Sequence, residues 1–305
     1  MAATVGAQFN LSPGPAPGAG PFLKWAGGKT QLLPQLARLL PSSFKGYAEP
    51  FLGSGALFFY LRRTRGKFPA YLSDYNAELV NCYIVVRDAV EDLLPLLGDH
   101  AAHHGREHYY EVRNQKPTEL DVLQRAARLI YLNKTCFNGL YRVNSDGHFN
   151  VPIGSYLRPR ISDPAALRDA SHALQGAQIS QADFKEVERH VSAGDLVYFE
   201  PPYHPVSRTS SFTGYAVSAS IRHGRARAAA AGFGLGEQQR VAATFHKIAQ
   251  RGCSVMLSNS DTERIRGWYA GFQVETVAAR RVINCDGSKR GSVREIVAMN
   301  YLPPQ

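Results

Sequence analysis

Residues 45–55 read KGYAEPFLGSG, and the apolar run ALFFYL follows from Ala56 to Leu61. The spacing predicts a strand over Lys45–Ala48, a turn through Glu49-Pro50 and the glycines, and a helix over Ser54–Arg63. Glycines just after a strand let backbone approach a ligand at a helix start. A second strand, Ala70–Ser73, runs into Asp74, 19 residues beyond Gly55. An acid there can accept both hydroxyls of a ribose. A glycine turn alone is a weak signal, equally explained by tight helix packing. With a correctly spaced acid it points to a nucleoside cofactor. No GxxxxGK[ST] stretch occurs, which argues against a P-loop.

Outward from this turn the chain alternates helices and short apolar strands. Helices are predicted over Gln31–Leu40, Asn76–Ala89, Glu107–Arg113, Leu120–Asn133 and Gln238–Gln250. Further strands are predicted over Ala177–Ser180, Asp195–Phe199 and Cys253–Leu257, with a closing antiparallel pair over Phe272–Val282 and Val293–Tyr301. The β-turn-α order predicts an α/β fold with a mostly parallel, doubly wound sheet. The order breaks over 92–174, which reads as a helical insertion. It ends in a hairpin of Arg142–Asn144 against His148–Asn150, turned by Asp146-Gly147. The expected organisation is a flexible leader over 1–20, a main domain of 21–91 and 175–305, the insertion, and a mobile basic loop over 214–236.

The 305 residues carry 35 Lys plus Arg against 25 Asp plus Glu, a net charge of +10. That balance favours a polyanionic partner, because cationic side chains displace counterions from phosphates; a basic surface kept for solubility is the plain alternative. Cys82, Cys136, Cys253 and Cys285 form no CxxC pair, so neither a zinc knuckle nor a disulfide framework is expected. A reducing, cytoplasmic setting follows. No apolar run reaches the roughly 20 residues of a membrane span.

Two more segments carry chemistry. Phe199-Glu200-Pro201-Pro202-Tyr203 follows an apolar strand. Two prolines cannot continue a ladder. They aim the acid before them and the ring after them at the carboxyl edge of the sheet. A carboxylate beside an aromatic plane suits a flat base with an amino group. Pro21–Lys29, PFLKWAGGK, sets two lysines around a tryptophan and a glycine pair ahead of a helix. It can cover a bound cofactor and offer cations to an anionic group. His103, His104 and His108 read as a solvated polar stretch, since Gly105 interrupts the helical spacing. Cys136 reads as a small buried hydrophobe, and Lys289 and Arg290 as an exposed turn.

In this order the segments FLKWAGGK, EPFLGSG, the acid Asp74, NGLYRVN...FNVPIG and SNSD-x5-WY resemble the Dam-type (class D12, alpha-group) DNA adenine N6-methyltransferases, from about Pro21 to Tyr301. The resemblance implies a Rossmann-like S-adenosylmethionine-dependent fold with a DNA-recognition insertion. It implies that Trp25, Ala26, Gly27, Gly28, Lys29, Glu49, Phe51, Gly53, Gly55, Asp74, Asp183, Phe184, Phe199 and Glu200 line the S-adenosylmethionine site. It implies Glu200, Pro201, Pro202 and Tyr203 as the catalytic group. It implies that Lys24, Asn138, Leu140, Arg142, Asn144, Pro152 and Tyr156 face double-stranded DNA, with Arg142 reading guanine and Leu140 and Tyr156 wedging the duplex. GATC or a related GAT-containing site is the expected target, reached by base flipping. No metal is expected, because the cofactor supplies the reactive group. A monomer is expected, alongside a possible cognate restriction endonuclease acting separately.

One position departs from the pattern: the family normally has Asp where this chain has Glu200. Glutamate adds one methylene, about 1.5 Å of reach. Three readings therefore stand at this point: an active adenine methyltransferase, an impaired relative that still binds DNA and cofactor, and a methyltransferase of RNA or protein.

Overall fold

The computed structural model describes residues 18–25, 28–203, 233–280 and 292–304. Strands β1 (Tyr47–Glu49), β2 (Ala70–Asp74), β3 (Ala177–Gln181), β4 (Leu196–Phe199), β5 (Ser254–Ser260), β6 (Gln273–Arg280) and β7 (Ser292–Met299) form one sheet in the order β3-β2-β1-β4-β5-β7-β6. The run from β3 to β5 is parallel, and β7 lies antiparallel between β5 and β6. The fold is α/β and Rossmann-like.

The inner strands β1, β2, β4 and β5 are buried at nearly every position because both faces are covered. Tyr47, Leu72, Leu196, Tyr198, Met256 and Val297 enter one core. Their neighbours Ala48, Tyr71, Val197, Phe199, Val255, Leu257 and Ile296 enter the other. The first face is covered by helices α1 (Leu33–Leu39), α2 (Ala56–Arg65), α3 (Ala77–Asp88) and α7 (Pro164–Leu174). The second is covered by α8 (Leu235–Gln250), α9 (Glu263–Trp268) and a 3-10 turn over Phe184–Arg189. The direction of chain progression reverses between β1 and β4, and such switch points open a crevice at the carboxyl ends of the strands.

Two local signals set the ends of α3 and α6 (Val122–Thr135). Asn76 accepts from the backbone N–H groups of Glu78 and Leu79. Asp121 and Gln124 make a reciprocal capping box.

Residues 92–174 contribute two kinds of structure. Helix α4 (Val90–Ala102), absent from the sequence reading as a separate helix, follows α3 almost directly and crosses the expected boundary at 92. With α6 and α7 it joins the same core as α2 and α3, through Leu93, Leu97, Ala126, Ile130 and Leu167. A smaller core lies beyond it, where α5 (Arg106–Asn114) meets the hairpin through Tyr109, Tyr131, Phe149, Val151 and Ile161. The Tyr109 hydroxyl donates to the Val151 carbonyl at 2.9 Å. In the hairpin, Val143 bridges Phe149 and Asn144 N–H donates to the His148 carbonyl at 2.9 Å.

Two expected segments fall largely outside the described residues, but their ends do not. The leader expected over 1–20 ends with Ala19 buried, its carbonyl accepting from Arg63. The basic loop expected over 214–236 ends with Phe233 buried, and α8 already begins at Leu235. The Phe233 ring packs edge-on against Phe51 at 5.7 Å.

Candidate active site

Glu49, at the end of β1, is 1% exposed, and the Tyr47 hydroxyl donates to its carboxylate at 2.9 Å. Burial pushes the Glu49 carboxyl well above the usual range. The chain then turns through Gly53 and Gly55, both left-handed at φ 47° and 62°. That region is strained for any residue with a Cβ, and a Cβ at Gly53 would also stand 3.1 Å from the Trp25 ring. The Gly53 N–H donates to the Asp74 carboxylate at 3.1 Å, so the turn and the acid are tied together. Asn76 N–H donates to the other Asp74 oxygen at 2.9 Å. Burial raises the Asp74 carboxyl against these donors.

Across the switch point, Glu200 follows β4. The Lys29 ammonium lies 3.0 Å from its carboxylate, and the Tyr198 hydroxyl donates to it at 3.4 Å. Burial raises the Glu200 carboxyl, and Lys29 opposes that shift. Pro201 is buried, and Gln238 donates to the Pro202 carbonyl at 2.6 Å. Asn259 donates in turn to Gln238 at 2.9 Å, and Ser258 bonds the Tyr198 hydroxyl at 2.9 Å. Ser258 and Asn259 of β5 thus brace the Glu200–Tyr203 turn from beneath. The Tyr203 hydroxyl donates to Glu295 of β7 at 2.8 Å, and Lys29 stands 4.3 Å from the centre of the Tyr203 ring.

The aromatic wall is formed by Phe51, stacked on Phe184 at 5.2 Å with Phe199 and Phe233 beside it. Asp183 accepts Arg240 through both oxygens, at 2.9 and 3.0 Å, and caps the turn that carries Phe184. Ala26 and Gly27 lie outside the described residues; Gly28 packs so that a Cβ would meet Ser54 at 3.0 Å.

The remaining expected residues gather on a separate surface, and among the described residues Trp25 and Asn133 link it to this one. Trp25 stacks on Tyr141 at 5.5 Å. Buried Asn133 of α6 accepts from Lys24 N–H and donates to the carbonyls of Lys24 and Gly139. Lys24 lies 4.3 Å over the Tyr156 ring. Gly154 gives that ring room, since a Cβ there would sit 2.5 Å from it. Asn138 is exposed and left-handed at φ 55°. Leu140 is half-buried, and Pro152 is exposed. Arg142 donates to the Asn150 side chain at 2.7 Å and stays on the surface. The Asn144 oxygen is engaged by the N–H groups of Asp146 and His148, so it shapes the turn itself.

Sequence reasoning missed Glu295, Gln238, Asn133 and the Tyr47 and Tyr198 hydroxyls. Glu295 had a faint signal, a lone carboxylate in the apolar run VREIVAM. Asn133 had another, an amide in the helical run LIYLNKT. Of the histidines set aside, His104 bonds the Tyr131 hydroxyl at 3.0 Å, a contact inside the helical layer.

Residues 25–283 match the family described as D12 class N6 adenine-specific DNA methyltransferase. The chain is 40% identical over 298 residues to the type II methyltransferase M.MjaIII of Methanocaldococcus jannaschii, covering 92% of this chain and 99% of that one. It is 37% identical to the type II methyltransferase M1.LlaDCHI of Lactococcus lactis subsp. cremoris, covering 92% and 95%. It is 32% identical to the DNA adenine methylase of Serratia marcescens, covering 91% and 97%. The RNA and protein readings give way to DNA on this ground, and the chain belongs to the D12 class N6 adenine-specific DNA methyltransferases.

Proposed function

We propose that this methyltransferase takes its methyl group from S-adenosylmethionine and delivers it to the N6 amino group of a flipped adenine in duplex DNA, within GATC or a related GAT-containing site. The observation that carries the reading is the pairing of the Glu200 carboxylate and the Tyr203 ring at the end of β4, across the switch point from the Gly53 turn and Asp74.

The donor set fits that cofactor. Asp74, Glu200 and Glu295 make the crevice acidic, which suits a cationic sulfonium. The Phe51–Phe184 stack suits an adenine ring, and Asp74 has lone pairs left for a ribose. When bound, S-adenosylmethionine supplies an electrophilic methyl group.

The chain's own residues hold the acceptor. Tyr203 offers its plane to the base. Glu200 and the Pro201 carbonyl accept hydrogen bonds from the amino group and turn its lone pair outward. The Pro202 carbonyl is already engaged by Gln238, so the turn has one fixed orientation. Glu200 need not be a strong base, because the amino proton becomes acidic only as the new bond forms. Lys24, Asn138, Leu140, Arg142, Asn144, Pro152 and Tyr156 face the duplex, with Arg142 passing from Asn150 to guanine. The type II names of two relatives support a place beside a separate restriction endonuclease; a cytoplasmic monomer is part of the same reading.

The test is transfer of labelled methyl to duplexes with and without GATC, beside Glu200→Asp. GATC-dependent transfer by the chain as it stands is expected. Transfer by the Asp variant alone would mean an impaired form with the right fold and DNA reading. No transfer to GATC by either would remove the recognition site from the proposal first.

A further inference from the structure

Glu295 belongs to none of the motifs, yet it reaches the centre of the site. Strand β7 sets it opposite Ser260 of β5 and Val277 of β6. Its side chain is 13% exposed, and the residues after it in the strand, Ile296 to Met299, are wholly buried. A carboxylate so placed needs compensation. It has the Tyr203 hydroxyl at 2.8 Å and the Lys29 ammonium at 3.8 Å. Lys29 is therefore shared between two carboxylates, Glu200 at 3.0 Å and Glu295 at 3.8 Å, while it covers one face of the Tyr203 ring.

This arrangement has a consequence for base entry. A hydrogen bond from a phenol to a carboxylate is charge-assisted and directional. Burial and the nearby carboxylates push the Tyr203 phenol well up, so it stays protonated and keeps donating. With Gln238 holding the Pro202 carbonyl, Tyr203 is anchored at both its backbone and its tip. An amino group that engages Glu200 competes with Lys29 for that carboxylate. Glu295 then offers Lys29 a second carboxylate inside the same pocket.

Building on the reading of Glu200–Tyr203 as the adenine holder, we propose that Glu295 is a positioning residue for the target base: it anchors the Tyr203 ring by its hydroxyl and takes over Lys29 when Glu200 turns to the amino group. Glu295→Gln keeps an acceptor for Tyr203 but loses the charge that draws Lys29. Glu295→Ala loses both. Tyr203→Phe keeps the ring and loses the anchor.

The experiment uses the full chain and unmethylated DNA. It measures single-turnover methyl transfer from S-adenosylmethionine, DNA affinity without the methyl donor, and thermal melting. For Glu295→Ala the transfer rate should fall on the order of 10- to 100-fold, while DNA affinity stays within about threefold. Glu295→Gln should fall between it and the wild type, and Glu295→Asp should recover part of the rate. Adding Tyr203→Phe to Glu295→Ala should cost less than the product of the two single effects, because they share one contact. Glu295→Gln preserves shape, so it decides the matter if Glu295→Ala melts early. Wild-type rates in both Gln and Ala variants, or effects that multiply with Tyr203→Phe, would overturn the role of Glu295 alone. A wild-type chain that binds DNA yet methylates no adenine would overturn the underlying reading and this one with it.

Discussion

At the carboxyl edge of the sheet, carboxyl groups are buried and cross-tied. Glu49 is bonded by Tyr47, Asp74 by the Gly53 turn, and Glu200 by Lys29. In the hairpin, polar groups are exposed and bonded to their own neighbours, Arg142 to Asn150 and Asn144 to the turn N–H groups. The contrast follows from what each region meets. A pocket that orients one amino group needs fixed dipoles in a low-dielectric place, where electrostatic interactions are strong. On the proposed reading, a surface that meets DNA exchanges its internal partners for base edges, so its side chains are held lightly and locally. Trp25 on Tyr141 and Asn133 against Lys24 are contacts through which one region feels the other.

Four substitutions sharpen or break this division. The largest effect belongs to Glu200→Gln, which keeps shape and removes the charge facing Lys29. Methyl transfer should drop by about 100-fold or more, with DNA affinity unchanged within about threefold. Equal loss of affinity, measured by titrating a fluorescent duplex, would show that pocket and surface are not separable. Arg142→Ala is the converse. It should cost about 1–3 kcal/mol of discrimination at one guanine, roughly 5- to 150-fold, and spare affinity for unrelated DNA at low salt. Uniform weakening across sequences would instead make Arg142 a phosphate contact.

Gln238→Leu tests whether bracing from below matters. It leaves the Pro202 carbonyl and Asn259 without their shared partner. A loss of about 1–3 kcal/mol in stability follows from unsatisfied buried groups, with a roughly tenfold slower single-turnover rate. A slower rate without lower melting would place the effect in geometry alone.

The smallest effect is Glu49→Gln. Burial raises the Glu49 carboxyl in the folded chain above its unfolded value near 4.3. Between those two values the folded chain binds more protons, so its stability falls as pH rises through that window. The variant lacks this term while its amide oxygen still accepts from Tyr47. Its melting temperature should gain on the wild type as pH rises above the unfolded value. A constant gap across pH would show that Glu49 keeps its charge in the fold.

Local periodicity carried most of the architecture. The runs around Ala48, Leu72, Val197 and Val255 are short and mostly apolar, and they became the buried parallel strands. Glu200 and Tyr203 were legible because two prolines mark the turn between them. Asp74 was legible by its distance from the glycines. The order of the last strands was not, because an antiparallel pair reads the same whether β6 or β7 lies beside β5. Helix α4 was not, because it continues α3 with only the single non-helical residue Ala89 between them.

The amino-acid sequence by itself determined the strand-turn-helix grammar, the acids at the strand ends, the hairpin turn and the family, since each depends on residues close in the chain. Only the tertiary structure decided that Glu295, more than 90 residues beyond Tyr203, would hold that ring. It alone decided that Gln238 and Asn259 would fix the proline turn, and that Asn133 would bind Lys24 across 109 residues. Such contacts leave no local pattern. They exist because a buried hydrogen-bonding group must find a partner wherever packing brings one within reach, and packing is a property of the whole chain.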